Sequence, residues 1–176
     1  MVSVSQPDHS ASEGGGQRGY GKGRQRDEPN FEALPDSLPP QNLEAEEAVL
    51  GGILLDPDAI GRVADVLQAE AFYLGAHREI FRTAVMLHSQ GKPTDLTAMT
   101  AWLADTGSLE KVGGSSRLAE LVERVASTAS IEQVARLVMD KFLRRQLIRS
   151  GNEVIQLGFD QSLPMEQVLD QAEQKI

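Results

Sequence analysis

The chain has 176 residues, 40% of them hydrophobic, a formal net charge of -9 and no cysteine. That length can bury one core with an appended element but not two full domains, and the missing thiols exclude a disulfide framework, a thiolate metal site and a cysteine nucleophile. The acidic balance argues against tight non-specific binding of phosphate backbones, no apolar run is long enough to span a bilayer, and MVSVSQPDHS lacks a basic region followed by an apolar block, so a soluble, cytoplasmic protein without a membrane partner is expected.

Residues 1–37 read as a disordered arm. SEGGGQRGYGKGRQRDEPN mixes Gly, Arg, Gln and Ser with one aromatic residue and offers too little apolar surface to offset the entropy of ordering. Within it, GQRGYGKG (Gly16 to Gly23) imitates a phosphate-binding loop but puts Gly23 where the metal needs a hydroxyl. It has neither a strand before it nor a helix after it, so the arm is expected to bind no nucleotide. Arg18, Lys22, Arg24 and Arg26 around Tyr20 leave open a brush with single-stranded nucleic acid, the alternative being a solvated linker.

From Asn42 onward the apolar period is helical, and no stretch alternates apolar and polar residues over strand lengths. Asn42 is expected to cap a first helix, with Glu44, Glu46 and Glu47 in its opening turns where the macrodipole favours acids, and with Leu43, Val49, Leu50, Ile53 and Leu54 buried. Gly51 and Gly52 interrupt that helix. Each costs about 1 kcal/mol against alanine, so the pair is expected where a second helix reaches the backbone. Asp56-Pro57 should end this helix and begin the next, which carries Ile60, Val63, Ala64 and Leu67. A third helix near 76 to 90 holds Ile80, Phe81, Ala84, Val85 and Leu87 and stops at Gly91 and Pro93. Asp95 should cap a fourth with Leu96, Met99 and Leu103, ended by Gly107. After a turn at LEKV, Gly113 and Gly114 break the chain before a helix marked by Leu118, Leu121, Val122 and Val125.

Residues 38–128 therefore form a compact bundle of short helices, and residues 129–176 a long helical hairpin. Ser130 should cap a helix running from Ile131 to about Gly158, roughly 28 residues and about 40 Å. DQSLP turns the chain, Ser162 caps, Pro164 takes the first helical position, and Val168, Leu169, Ala172 and Ile176 continue the apolar spacing. Such a hairpin leaves an apolar stripe that its own chain does not cover, and a second copy is the simplest cover. The candidate interface residues are Val134, Val138, Phe142, Val168 and Leu169.

His77 and His88 share a helix face but stand about 16 Å apart along the axis, too far for one metal, so a polar contact at a seam is expected for them. No clustered nucleophile and base is found, hence no catalytic residue, metal ligand or cofactor-binding residue is assigned. Lys141, Arg144, Arg145 and Arg149 form a basic run that faces either nucleic acid or acids on a partner, or else solvent, with pairing to Asp140 or Glu153 in the last case.

The blocks LPPQNLEAEEAVLGGILLD, AFYLGAHREIF and GKPTDLTAMTAWLADTGSLEKVGG, in this order and spacing, resemble the N-terminal domain of the bacterial DnaB-type replicative DNA helicase over about residues 38 to 176. Glu44, Glu46, Gly51, Gly52, Phe72, Tyr73, His77, Phe81, Pro93, Asp95, Gly113 and Gly114 are the motif positions. Arg117, Ala126 and Val134 depart from an aromatic, a proline and a tyrosine frequent in that family. The resemblance implies an all-helical collar that pairs with itself within a ring of six and recruits the C-terminal region of primase, with a helicase loader as a further candidate partner and DNA bound weakly if at all. It also implies that ATP and magnesium belong to a separate motor, whose phosphate loop has no counterpart in these residues, so no cofactor is expected in this chain. A stand-alone helical adaptor resembling a helicase loader, without a motor, is the alternative.

Overall fold

The computed structural model describes residues 38–125 and 130–175; the arm, with its loop-like glycines and Lys22, and also Ala126 and Ile176, lie outside them. Among the described residues every regular element is helical. Seven α-helices follow one another: α1 (Leu43–Leu55), α2 (Ala59–Val63), α3 (Gly75–Ser89), α4 (Leu96–Asp105), α5 (Gly114–Glu123), α6 (Ile131–Phe159) and α7 (Met165–Glu173), with single 3-10 turns at Ala69–Ala71 and Glu110–Val112.

Local chemistry sets most of these limits. Asn42 opens α1 by accepting the Ala45 N–H at 3.0 Å, and Asp95 opens α4 by accepting from Thr97 and Ala98 at 2.9 and 3.1 Å. Helices α3 and α4 stop alike. Gly91 and Gly107 take φ of +65° and +68°, and the following residues, Lys92 and Ser108, donate back to Leu87 and Leu103 at 2.9 and 2.8 Å. This closes the loose carbonyls at each helix end, in a backbone region where a side chain is strained.

Three expected caps are corrected. Asp56-Pro57 does end α1, but Asp58 precedes α2, while the Asp56 carboxylate accepts from the Asp58 N–H and from Arg62. Ser130 makes no side-chain capping bond to α6. The 160–164 turn is organised by Asp160, which accepts from both the N–H and the hydroxyl of Ser162 at 2.9 and 2.6 Å; Pro164 stands just before α7 rather than inside it. The Ser162 hydroxyl is thus used as a donor to Asp160, and α7 opens without a side-chain cap.

Helix α1 is the axis of the bundle. It packs against α5 and α6 on its longest seams and also meets α2, α3 and α4. Val49, Leu50, Ile53 and Leu54 are at most 2% exposed, whereas Leu43, expected inside, is 37% exposed at the first turn. Phe72 and Phe81 meet in the core with ring centroids 4.9 Å apart. Burying each such side chain contributes about 1.5–3 kcal/mol.

Helix α6 changes surroundings along its 29 residues. Ile131, Ala135, Val138 and Phe142 are buried against the bundle, and after Phe142 no residue of α6 is fully buried. The second half of α6 instead meets α7, which seats Val168 against it. Lys175 near the end of α7 reaches Glu153 at 2.8 Å.

Candidate functional site

A polar cluster lies where α1, α3 and α6 converge on the turn at Ala69–Ala71. Glu46 faces inward from α1 with a 1% exposed side chain, and His77 on α3 is 2% exposed. One Glu46 oxygen accepts the Tyr73 N–H at 2.6 Å and the other meets His77 Nδ1 at 2.8 Å. Arg78 donates to the carbonyls of Phe72 and Tyr73 at 2.7 and 3.1 Å. From α6, Arg145 donates to the carbonyls of Pro40 and Ala71 at 2.7 and 2.6 Å, with its guanidinium 5.7 Å from the centre of the Tyr73 ring and 5.8 Å from that of Phe142. Burial lowers the Arg145 guanidinium from its ordinary value; Glu46 acts against that shift and Arg78 adds to it.

The Glu46–His77 pair is sealed from solvent and ties α1 to α3. Among the described residues no group of three His, Cys, Asp or Glu is placed to hold a metal ion. His88, by contrast, is exposed at the far end of α3 and faces Gly61 of α2.

On the neighbouring face of α1, Glu47 grips Arg117 of α5 and Arg124 just beyond its end, and Arg117 also reaches Glu120 at 3.1 Å. Next to this fork, α5 crosses at Gly51. A Cβ there would lie 2.1 Å from the Leu121 carbonyl oxygen and 2.5 Å from Val125 Cγ2. Gly51 thus holds the close approach expected of the glycine pair, and Gly52 is buried beside it.

Burial raises the Glu47 carboxyl, but the Arg117 and Arg124 guanidiniums outweigh it and hold it below its ordinary value. A depressed carboxyl carries fewer protons folded than unfolded, so the tie is in full force above about pH 4.3 and fades as the pH falls. Denaturant titration of Glu47→Gln should show a deficit of about 1 kcal/mol at neutral pH that shrinks in acid. A deficit of constant size down to about pH 3 would mean that packing, not charge, joins these helices.

The hairpin carries the principal exposed apolar surface. Ile148, Ile155 and Phe159 fall on one stripe of α6 and are 47%, 46% and 66% exposed, while Met165 and Leu169 on α7 are 70% and 57% exposed. The expected interface residues are corrected accordingly. Val138 and Phe142 are buried in their own bundle, Val134 packs against that core, and Val168 is buried, so only Leu169 of the five is open. The basic run divides: Lys141 and Arg144 pair with Asp140 at 3.6 and 2.9 Å, whereas Arg145 turns inward.

Residues 38–140 match the family described as DnaB-like helicase N terminal domain. The chain belongs to this family. Over 139 residues it is 58% identical to the replicative DNA helicase DnaB of a Nostoc species, covering 79% of this chain and 16% of that protein. It is 39% identical over 145 residues to replicative DNA helicase DnaB of Geobacillus stearothermophilus, covering 82% and 32%. Among solved structures, the crystal structure of the N-terminal domain of DnaB helicase from Mycobacterium tuberculosis superposes with a TM-score of 0.75 at 35% identity, covering 79% of this chain and 98% of that one. A DnaB-like replicative helicase whose structure is described together with its interactions with primase matches with a TM-score of 0.64 at 30% identity, over 77% of this chain and 32% of that one. The chain therefore spans between a sixth and a third of these two full-length relatives.

Within this DnaB-like N-terminal domain the motif positions have distinct physical roles. Glu46, Tyr73 and His77 meet in the polar cluster, Phe72 and Phe81 fill the core, Gly51 admits α5, and Asp95 caps α4. Glu44 and Pro93 are exposed. Gly113 and Gly114 both take positive φ and lead into α5. Sequence reading missed the inward turn of Arg145 and the Glu47 fork, in which the departing Arg117 takes part. A signal for Glu46 and His77 was present, since they stand one helical turn before Val49–Leu50 and Ile80–Phe81 and so lie on the buried faces.

Proposed function

We propose that this DnaB-like domain acts as the collar of a hexameric replicative DNA helicase, pairing subunits through the α6–α7 hairpin and recruiting primase. The apolar surface of the distal hairpin carries this reading: Ile148, Ile155, Phe159, Met165 and Leu169 are 46% to 70% exposed together, which a second copy would cover. Primase recruitment is supported by the described interactions of the DnaB-like helicase that shares this fold. The acidic balance suits a basic-rimmed protein partner better than DNA. The first 31 residues hold four basic and four acidic residues, so the net charge of -9 falls on the remainder. A helicase loader is a further candidate partner. In the parent helicase, ATP and magnesium would be held by a motor outside these residues, and the protein would work in the cytoplasm. Among the described residues, no helix is long and apolar enough to cross a membrane.

Light scattering is expected to show concentration-dependent self-association that Ile155→Asp with Phe159→Asp abolishes while helix content stays. Losing two buried contacts removes about 3 kcal/mol or more, over 100-fold in the association constant. A parent protein that stays monomeric at high concentration would defeat the pairing. For recruitment, primase's C-terminal helical region should bind in the micromolar range or weaker per site, with occupancy reinforced by several sites in a ring. Single-stranded DNA should bind more weakly still at about physiological salt. DNA binding that is tighter than primase binding, and that survives removal of the first 31 residues, would assign the surface to the wrong partner.

A further inference from the structure

Arg145 occupies the place where α6 leaves the bundle. The last fully buried residue of α6 is Phe142, and Arg145 lies one turn further on, its guanidinium near the rings of Phe142 and Tyr73. Its two nitrogens grip carbonyls that are remote from each other in sequence: Pro40, in the lead-in to α1, and Ala71, in the turn before α3. Among the described residues, neither carbonyl accepts another backbone bond outside the helices. Beyond this grip, 14 residues of α6 project to Phe159, a lever of about 21 Å. On such a lever, a rotation of about 10° at the base carries the tip by about 4 Å.

We propose that Arg145 is the pivot lock of the hairpin: its two-carbonyl grip holds the projecting half of α6 with α7 at one angle to the bundle and links that angle to the lead-in segment 38–42. The geometry suits arginine specifically. A planar guanidinium can hold two carbonyls in fixed directions at once, whereas an ammonium is a point charge on a flexible stem. Arg145 is a positioning residue, and the assignment holds whatever the hairpin pairs with.

The sequence has no cysteine, so Asp105→Cys on α4 and Gln161→Cys at the hairpin tip, both exposed, give a spin-label pair in the full chain. Diluting it with unlabelled protein leaves only distances within one molecule. The parent should give a narrow distribution and Arg145→Met one about twofold broader, while amide exchange in residues 41–45 rises about tenfold. Helix content and a cooperative thermal transition should persist, which separates a loosened pivot from a damaged fold. Arg145→Lys should fall between the two, and it carries the test alone if Arg145→Met does not fold. An unchanged distribution in a folded variant overturns the lock. A broadened distribution with unchanged exchange in 41–45 overturns the link to the lead-in segment.

Discussion

Replacing Gly51 by alanine should destabilise the bundle by about 3 kcal/mol or more, although alanine is the better helix former by about 1 kcal/mol. The added methyl would sit 2.1 Å from the carbonyl oxygen of Leu121 and 2.5 Å from Val125 Cγ2. Relief requires α5 to move by over an ångström, because the nearest obstacle is backbone rather than the end of a flexible side chain. That movement would also strain the Glu47 fork and unseat Leu118 and Leu121, which are fully buried. Gly61 supplies the opposite case: a Cβ there meets only the His88 ring, at 3.8 Å. Gly61→Ala should be neutral or stabilising by up to about 1 kcal/mol. Urea titrations of the two variants should move in opposite directions, and a Gly51→Ala protein as stable as its parent would show that the crossing is not tight.

The second large effect is expected at Glu46. Its carboxylate satisfies both the Tyr73 N–H and His77 from a site that is 1% exposed. Glu46→Leu keeps the volume but strands both partners in the core, so a loss of about 3–5 kcal/mol is expected. Glu46→Gln should lose less, because an amide oxygen can still accept from Tyr73. Adding His77→Leu to Glu46→Leu should recover part of the loss, since removing both polar partners leaves fewer unpaired groups than removing one. Measured by denaturation as a double-mutant cycle, losses that simply add would show that the two side chains do not act as a pair.

How much of this could be read from the residues depends on how local the determinant is. Asn42, Asp95, Gly91 and Gly107 set helix limits through bonds within six residues, and those limits were legible. The Gly51 crossing was legible as well, because a glycine pair weakens an otherwise strong helix to no benefit unless a second backbone needs the space. Ser130 and Ser162 misled for the same local reason: a serine suits a cap in general, but Ser130 makes no capping bond and the Ser162 hydroxyl donates to Asp160 instead. The open face of the hairpin was misplaced because α6 carries apolar residues around much of its circumference and changes partner halfway along. Val134, Val138 and Phe142 fit an apolar stripe equally well whether bundle or second copy covers it. Arg145 was illegible on its own element, because both of its carbonyls come from distant segments.

That distance in sequence bears on how the protein comes to be folded. The Arg145 bond to the Pro40 carbonyl joins residues 105 positions apart, and the bond to Ala71 joins residues 74 apart. On a ribosome adding 5–20 residues each second, about 5–20 s pass between the two ends of the longer bond. Once α1 is made, its apolar side waits for one of the helices that cover it, since α6 packs along α1. Ile131, Ala135, Val138 and Phe142 complete the core, so the bundle stays open along this seam until the first turns of α6 arrive. Loop closure over such a span slows the final docking step relative to the local helix pairs.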